Sequence, residues 1–447
     1  MNRLFLGTII LLSWAFPAAA GLFQASEFTL ENGMRGVVVE NHKAPIVKHM
    51  VWYRIGAADE PSGKGGLAHL LEHLMFRGTQ KVKDGEFNQI INTLGAESNA
   101  FTGHDVTAYH QLADISKLEA LMALEADRMQ NLNLSEQQFD SERKIIFQER
   151  KQVVENNPAS PFAERLNLLL YGTSPYGRPV GGFDADILGL TLSDAQKFYR
   201  HYYAPNNAIL VLSGDIDVQT AQQLAQKYYG HLPAVPVERQ EQDDTVQNFS
   251  ETLEMQLPNI QANKLIDKYL LPNYRHLNGA IYDYAVLAEY LGGGETSALY
   301  RDLVIDQKVA VGVSAEYHFV TRGNSVWHFS MLPAEGVEPA EARALLYAAV
   351  DKAMNELSAA KLEQVKRKMT ADLVYVNDNP EDAAYWIGYM LSNGFSLDEA
   401  ENYEAQINKV TLNGVKKAFK QLMQTAKVYG TLLSDENKGE KNGPKTR

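Results

Sequence analysis

The chain has 447 residues, of which 45% are hydrophobic and 22% charged, close to the average of globular domains. This composition excludes collagen-like, largely disordered and polytopic membrane proteins, and the length suffices for roughly two to four domains. The formal net charge of −13 argues against non-specific binding of nucleic acid. The absence of cysteine excludes disulfides and thiol ligands, so any metal must be held by His, Asp and Glu.

Residues 1–20 have the pattern of a bacterial secretory signal peptide. A short basic start precedes an apolar run at 4–16 that is too short to cross a bilayer, and small residues at 17–20 end in an A-x-A arrangement. We expect cleavage near Ala20 and export to the periplasm; a buried first helix or a membrane anchor is the alternative. No later segment reaches 18 consecutive apolar residues, so we expect no membrane span after cleavage.

The apolar pattern predicts strands mixed with long helices. In chain order these are strands at 28–40 and 46–53, a helix at 65–77, a hairpin of strands at 96–102 and 106–112, helices at 115–131 and 135–156, a loop at 171–178, a helix near 193–203 and a strand at 208–212. Because the elements follow no regular βαβ order, we expect an α+β fold.

Two helix starts of the first half recur in the second half. Thr191 and Thr411, which each open a helix leading to a strand, lie 220 positions apart (411 − 191). Ser135 and Ser358, which also open helices, lie 223 positions apart (358 − 135). Coincidence between common helix starts is the alternative, but similar offsets in the same order favour a duplicated α+β domain.

Composition also indicates where the domains end. Prolines and charged residues at 231–250 are typical of a linker, and the polar stretch from Asp435 onward is typical of a disordered tail. The predicted segments are a signal peptide at 1–20, an N-terminal domain at 21–230, a linker at 231–250, a homologous C-terminal domain at 251–434 and a disordered tail at 435–447.

One pentapeptide, His69-Leu70-Leu71-Glu72-His73, is the most informative motif. On a helix, His69, Glu72 and His73 fall within an arc of about 100°. Two imidazoles spaced i, i+4 can bind one metal ion, and the carboxylate between them can reach a metal-bound water. Zinc suits this arrangement, because it takes His and carboxylate ligands and keeps a position open for water. The alternative is a solvated helix face with two ordinary histidines.

A third ligand has to come from another element, and the helix at 135–156 offers two glutamates. Glu142 and Glu149 are seven positions apart (149 − 142) and share a face with Ile145 and Ile146. Carboxylates on an inward apolar face are costly unless they are paired or bind a metal. The alternative is an amphipathic helix with both glutamates at the edge of its apolar face.

Together these positions resemble the inverted zinc motif of the pitrilysin/insulinase peptidases. In this chain the distant glutamate, Glu149, follows His73 by 76 positions (149 − 73). The chain is most similar to half-size bacterial members and to the mitochondrial processing peptidase, over nearly its whole processed length. Further matching segments are Gly65-Gly66-Leu67-Ala68, Phe76-x-Gly78-Thr79, Asn99-Ala100-Phe101-Thr102, Asp127-Arg128-Met129, Pro175-Tyr176-Gly177 and Tyr203-x-Pro205-x-Asn207.

The resemblance implies a role for each residue of the site. His69, His73 and Glu149 would bind one zinc ion per chain. Glu72 would be the general base, and Glu142 would orient a ligand through a hydrogen bond. The function implied is a zinc-dependent endopeptidase for short or unfolded peptides in the periplasm. The alternative is a non-catalytic peptide-binding or scaffold subunit of the same fold, which would have no need of Glu72.

The resemblance also implies an architecture. Two homologous α+β domains, each a mostly antiparallel sheet packed with helices, would assemble like a clamshell. The second domain would have no metal site, because its equivalent helix near 288–292 contains no histidine. The segment Asn99-Ala100-Phe101-Thr102 would be an edge strand to which a peptide substrate is added as a further strand.

The second half departs from the family at two positions. Active members carry an Arg and, seven residues later, a Tyr, and these positions fall on Val304 and Val311 here. The departure predicts a poor enzyme in isolation and a heterodimer with a homologous half-size partner that supplies Arg and Tyr. The alternatives are a self-sufficient homodimer, or a register shift that recruits Arg301 and Tyr317.

The remaining polar candidates have simpler interpretations. Four histidines are expected to lack any metal-binding spacing: His201, His276, His318 and His328. His104 is expected in a hairpin turn. The glycines at 292–294 lack the context of a phosphate-binding loop and indicate the end of a helix.

Overall fold

The structure is a computed structural model that describes residues 21–239, 242, 248–277 and 279–435. The predicted signal peptide, residues 240, 241 and 243–247 of the predicted linker, and residues 436–447 of the predicted tail lie outside the described residues. Among the helices described, none is long and apolar enough to cross a membrane.

Eleven strands within the described residues form two sheets. The first contains β1 (Ser26–Thr29), β2 (Arg35–Glu40), β3 (Ile46–Tyr53), β4 (Glu97–Thr102), β5 (Thr107–Asp114) and β6 (Ala208–Gly214). The second contains β7 (Glu251–Gln256), β8 (Lys264–Leu271), β9 (Ala310–His318), β10 (Ser325–Pro333) and β11 (Lys427–Leu433).

The helices surround these sheets. Those of the first half are α1 (Leu67–Leu74), α2 (Glu86–Leu94), α3 (Leu118–Asn131), α4 (Glu136–Asn156), α5 (Ser160–Tyr171), α6 (Asp184–Leu188), α7 (Leu192–Tyr202) and α8 (Val218–Tyr228). Those of the second half are α9 (Ile281–Gly292), α10 (Pro339–Glu356), α11 (Ala359–Asp378), α12 (Pro380–Ser392), α13 (Leu397–Glu401), α14 (Tyr403–Lys409) and α15 (Leu412–Gln424).

The two sheets have the same topology. Their strand orders are β1-β2-β6-β3-β5-β4 and β7-β11-β8-β10-β9. Within the described part of the chain, strand β1 has no counterpart in the second sheet. In the remaining five strands of each sheet, the outer strand (β2 or β7) runs parallel to the last strand of that half (β6 or β11), and all other neighbouring strands are antiparallel. The predicted α+β fold with two homologous, mostly antiparallel sheets is therefore confirmed, whereas the exact domain boundaries stay predictions.

The four helix starts used to detect the repeat are all N-caps. The side chains of Thr191, Thr411, Ser135 and Ser358 each accept a hydrogen bond from a backbone N–H of the first helical turn. Such a bond satisfies one of the amide groups that a helix start leaves without a partner. The similarity seen in the sequence thus reflects equivalent helix positions.

The predicted strand at 28–40 is wrong in one respect. The chain reverses at residues 30–34, where the Leu30 N–H donates to the Met34 carbonyl at 2.9 Å, and this turn divides the segment into the antiparallel pair β1 and β2. Strands β2 and β3 follow one another in the chain but are not neighbours in the sheet, because β6 lies between them. Helix α5 is not among the predicted elements.

Each half contributes one helix to the sheet of the other half. Helix α12 packs over β3 and β6 of the first sheet, while α5 packs over β7, β8 and β11 of the second. At the first contact Gly388 lies against the Trp52 indole: a Cβ at this position would come within 2.0 Å of Nε1. Glycine is therefore required for α12 to approach the sheet this closely.

A buried ionic network also joins the halves. Arg322 Nε donates to Asp105 Oδ1 at 3.0 Å, and its Nη2 donates to Asp59 Oδ1 at 2.8 Å. Arg239 donates to the other oxygen of Asp59 at 2.8 Å, and the Tyr176 hydroxyl donates to Asp105 at 2.5 Å. Because Asp105 lies in the turn between β4 and β5, this network anchors that hairpin to the second half.

Candidate metal centre

Helix α1 carries the H-x-x-E-H motif, and its start is held by Glu60. The Glu60 carboxylate accepts hydrogen bonds from the backbone N–H groups of Gly66 and Ala68, at 3.2 and 2.8 Å. Gly66 has a φ of +87°, and a Cβ there would lie 2.7 Å from the Gly181 carbonyl oxygen. Only glycine fits this position without strain.

The apolar face of α1 decides where the motif side chains lie. Leucines at 67, 70, 71 and 74 are buried in the core of the first half. Because helical residues advance by 100°, this leaves His69, Glu72 and His73 on a half-buried face. Helix α1 packs against α4, where Glu142 is buried and Glu149 half-buried.

The predicted ligand set comes together. Glu149 Oε2 lies 3.9 Å from His69 Nε2 and 3.5 Å from His73 Nε2, and one donor atom from each residue lies within 4.8 Å of the others. Donors bound tetrahedrally to zinc at 2.0–2.1 Å lie about 3.3–3.4 Å apart. The residues present therefore fit a zinc ion after small side-chain movements.

The surroundings shift the pKa values of the two histidines in opposite directions. Burial, together with the charge of His73, lowers the pKa of His69 to about 4, so its imidazole is neutral. For His73, burial acts to lower the pKa, but the hydrogen bond to Glu142 and the charges of Glu149 and Glu72 outweigh it and raise the pKa. Its Nδ1 lies 3.1 Å from Glu142 Oε2, and an Nδ1 proton donated there leaves the Nε2 lone pair facing Glu149.

Two further contacts were not expected from the sequence. Arg77 Nε lies 3.2 Å from Glu142 Oε1, so the buried carboxylate that contacts His73 is balanced by a cation. Thr102 donates a hydrogen bond to Glu72 Oε2 at 2.5 Å. Burial raises the pKa of Glu72, although this bond and the charge of His73 oppose the shift.

The predicted edge strand is β4. It pairs with β5 and forms the outer strand of the first sheet, whereas its role in binding substrate stays a prediction. The side chains alternate, however. Thr102 points to the metal centre, whereas Phe101 packs against Trp52 and Tyr385, with ring centroids 5.3 and 5.6 Å apart.

Val304 and Val311 occupy the positions where active family members carry Arg and Tyr. Val304 packs against the core of the second half, and Val311 is 67% exposed on the edge strand β9. Tyr317 does not replace the missing tyrosine, because its ring packs inside the second half against Tyr284 and Trp327. Arg301 is exposed.

Two histidine interpretations are tested by the geometry. His104 lies in the β4–β5 turn as expected, with Nε2 2.9 Å from the Arg178 carbonyl oxygen. The expectation for His318 and His328 is wrong, because strand pairing places both beside Glu316 in a second cluster of possible metal ligands. Sequence spacing could not reveal this cluster, since His328 lies on a different strand from Glu316 and His318.

Comparison with known proteins identifies the class. The family description "Insulinase (Peptidase family M16)" matches residues 36–182, which contain all five predicted residues of the centre. The description "Peptidase M16 inactive domain" matches residues 189–369. The chain belongs to the M16 (insulinase) family of peptidases, and the resemblance in its motifs is confirmed.

Its named relatives are zinc proteases and processing peptidases. The zinc protease PqqE of Helicobacter pylori is 28% identical over 393 residues, covering 86% of this chain and 87% of that protein. A probable mitochondrial-processing peptidase subunit beta of Schizosaccharomyces pombe is 29% identical over 216 residues, covering 48% and 47%. The crystal structure of a protease from Helicobacter pylori superposes with a TM-score of 0.85 at 26% identity, covering 92% of this chain and 99% of that one.

Proposed function

We propose that the chain is a zinc-dependent endopeptidase that hydrolyses short or unfolded peptides. The observation that carries this proposal is the convergence of His69, His73 and Glu149 beside Glu72, a carboxylate that no structural metal site requires. One zinc ion per chain would be held by the two imidazoles and Glu149. When bound, zinc supplies Lewis-acid activation of water and stabilisation of negative charge on a carbonyl oxygen.

The protein groups around the centre have separable tasks. Glu72 accepts a proton from the attacking water and returns it to the leaving amine. Burial raises its pKa, which makes it a stronger base, and the hydroxyl of Thr102 holds its orientation. Glu142 fixes the ring of His73 through Nδ1.

The substrate is proposed to bind as an additional strand on β4. The outer edge of β4 carries backbone groups that β5 does not use, and Thr102 links this strand to Glu72. Strand addition is driven mainly by main-chain hydrogen bonds. Such recognition requires an extended peptide, so stably folded domains should be spared.

Substitution of Glu72 tests the proposal. The Glu72→Gln variant keeps the shape of the side chain but cannot accept the proton, so we expect zinc to remain bound and peptide turnover to fall by about 10²–10⁴-fold. Glu155→Gln, at an exposed position of α4, is the matched control and should be fully active. If Glu72→Gln retains both zinc and full turnover, the mechanism in which Glu72 is the general base is wrong.

We further propose that the protein works in the periplasm as the zinc-bearing subunit of a heterodimer. The absence of Arg and Tyr at Val304 and Val311 supports a partner that supplies them. Since loss of an oxyanion donor costs about 10²–10³ in turnover, adding an exported half-size homologue that carries both residues should raise turnover by that order. Full activity of the chain alone, unaffected by substitution of either valine, would contradict this part of the proposal.

A further inference from the structure

The second sheet carries a cluster of two histidines and one glutamate that the proposed reaction does not use. Glu316 and His318 lie on β9, and His328 lies on β10. The Oε2 atom of Glu316 is 3.5 Å from His318 Nε2 and 3.6 Å from His328 Nε2. One donor atom from each of the three residues lies within 4.8 Å of the others.

Strand register explains why these side chains meet. Glu316 is the direct antiparallel partner of His328, and His318, two residues further along β9, points to the same face of the sheet. The two imidazole rings are nearly parallel, with centroids 5.5 Å apart. The donors are thus carried by two paired strands rather than by a loop, which favours a defined geometry.

Two of the three spacings between the donor atoms are close to those found between ligands of a bound transition metal. Tetrahedral zinc ligands lie about 3.3–3.4 Å apart, and the two Nε2–Oε2 distances of this cluster are closer to that value than the 3.9 Å between His69 and Glu149. Imidazole nitrogen with one carboxylate suits zinc and its neighbours in the transition series, whereas calcium and magnesium prefer oxygen ligands alone. We propose that Glu316, His318 and His328 form a second zinc-binding site.

The surroundings of the cluster affect how strongly it would bind zinc. The side chain of His328 is 16% exposed, so this ligand is largely shielded from water. The positive charge of Lys268, on the neighbouring strand β8, opposes a cation at this site, but its amino group donates a hydrogen bond to the side chain of Asn167 at 2.7 Å. Because the side chains of His318 and Glu316 are 65% and 49% exposed, we expect weaker binding than at the first centre.

The experiment counts zinc in protein that carries no affinity tag. In the His69→Ala/His73→Ala background, which removes the first centre, equilibrium dialysis against zinc should still give one equivalent per chain. Adding His318→Ala and His328→Ala should abolish that equivalent. His201→Ala, which removes an exposed histidine of α7, is the control and should leave it unchanged.

A structural readout separates specific binding from loose association. Bound zinc would connect the edge strand β9 to β10, so it should slow hydrogen exchange of the β9 amides in the same background and not in the variant lacking both histidines. Equal zinc content with and without His318 and His328, or exchange rates that zinc does not change, would overturn the proposal. Because the first centre is absent from these proteins, either outcome leaves the peptidase proposal untouched.

Discussion

At the scale of single residues, Glu142 is the carboxylate on which the orientation of His73 depends. It is only 4% exposed and accepts from His73 on one oxygen while facing Arg77 on the other. A buried carboxylate is stable only when it is paired and hydrogen-bonded. A hydrogen bond to a charged acceptor is stronger than one to a neutral acceptor, so the carboxylate holds the imidazole firmly.

Replacing this charge should weaken metal binding. Glu142→Gln keeps the volume but loses the charge, and changes at groups that orient a metal ligand typically cost 10–100-fold in metal affinity. We therefore expect zinc affinity to fall by about that factor, measured by competition with a chelator of known affinity. Asp140→Asn, on the same helix and half exposed beside Arg143, is the control. Unchanged zinc affinity in Glu142→Gln would show that His73 does not depend on this contact.

At the scale of elements, α12 is the helix whose position depends most on a single residue. Its buried residues pack on a face of the first sheet that includes Trp52, which is fully buried. Alanine in place of a helical glycine normally stabilises a helix by about 1 kcal/mol. At Gly388, however, the added methyl group would meet the indole at 2.0 Å.

Higher helix propensity and overpacking change the stability of a Gly388→Ala variant in opposite directions, and we expect overpacking to be the larger effect. Forcing an extra carbon into a packed core costs about 1–3 kcal/mol, so Gly388→Ala should lower the free energy of unfolding in urea despite its higher helix propensity. Gly181→Ala is the control, because a Cβ there meets no atom within 4 Å. A Gly388→Ala variant as stable as the parent would mean that α12 can shift away from the sheet without cost.

At the scale of the whole molecule, the two halves are joined by more than the connecting chain. Helices α5 and α12 occupy equivalent places in the repeat, since each follows the long helix that starts at Ser135 or Ser358, and each covers the sheet of the other half. The network around Asp105 adds a buried ionic contact. Neither sheet is therefore fully covered by its own half.

The Asp105 network should make stability depend on pH in acid. Burial alone would raise the pKa of Asp105, but the charge of Arg322 and hydrogen bonds from Tyr176 and Arg322 hold it below the ordinary value. A carboxyl group with a depressed pKa in the folded state stabilises the protein above its unfolded pKa, about 3.9, and this contribution is lost as the pH falls through the folded pKa.

Asp105→Asn should therefore destabilise the protein by about 3–5 kcal/mol at neutral pH, because it leaves the guanidinium groups of Arg322 and Arg239 sharing the single carboxylate of Asp59. The difference from the parent should stay constant down to about pH 4 and shrink below it. Urea unfolding of both proteins in the presence of a chelator measures this without metal effects. Asp351→Asn, at an exposed site, is the control. A difference that does not change with pH would contradict the pairing of Asp105 with Arg322.

Much of the site and of the fold could be predicted from the sequence, because these features depend on local periodicity. The i, i+4 spacing of His69 and His73 and the seven-residue spacing of Glu142 and Glu149 follow from 100° per residue on a helix. The caps at Ser135 and Thr191 follow from the unpaired amides of a helix start. These rules act within a few residues, so β3, the β4–β5 hairpin and α4 were predicted close to their observed bounds.

Only the tertiary structure decided what depends on contacts between distant segments. Strand pairing brings Glu316 to His328 although 12 positions separate them (328 − 316). It also inserts β6 between β2 and β3. The ring of Tyr317, the candidate replacement for the missing tyrosine, packs inside the second half. The exchange of α5 and α12 likewise depends on which sheet face is left uncovered by its own half. The local sequence determines which helix or strand forms. Which other element it packs against depends on the burial of apolar surface summed over the whole chain.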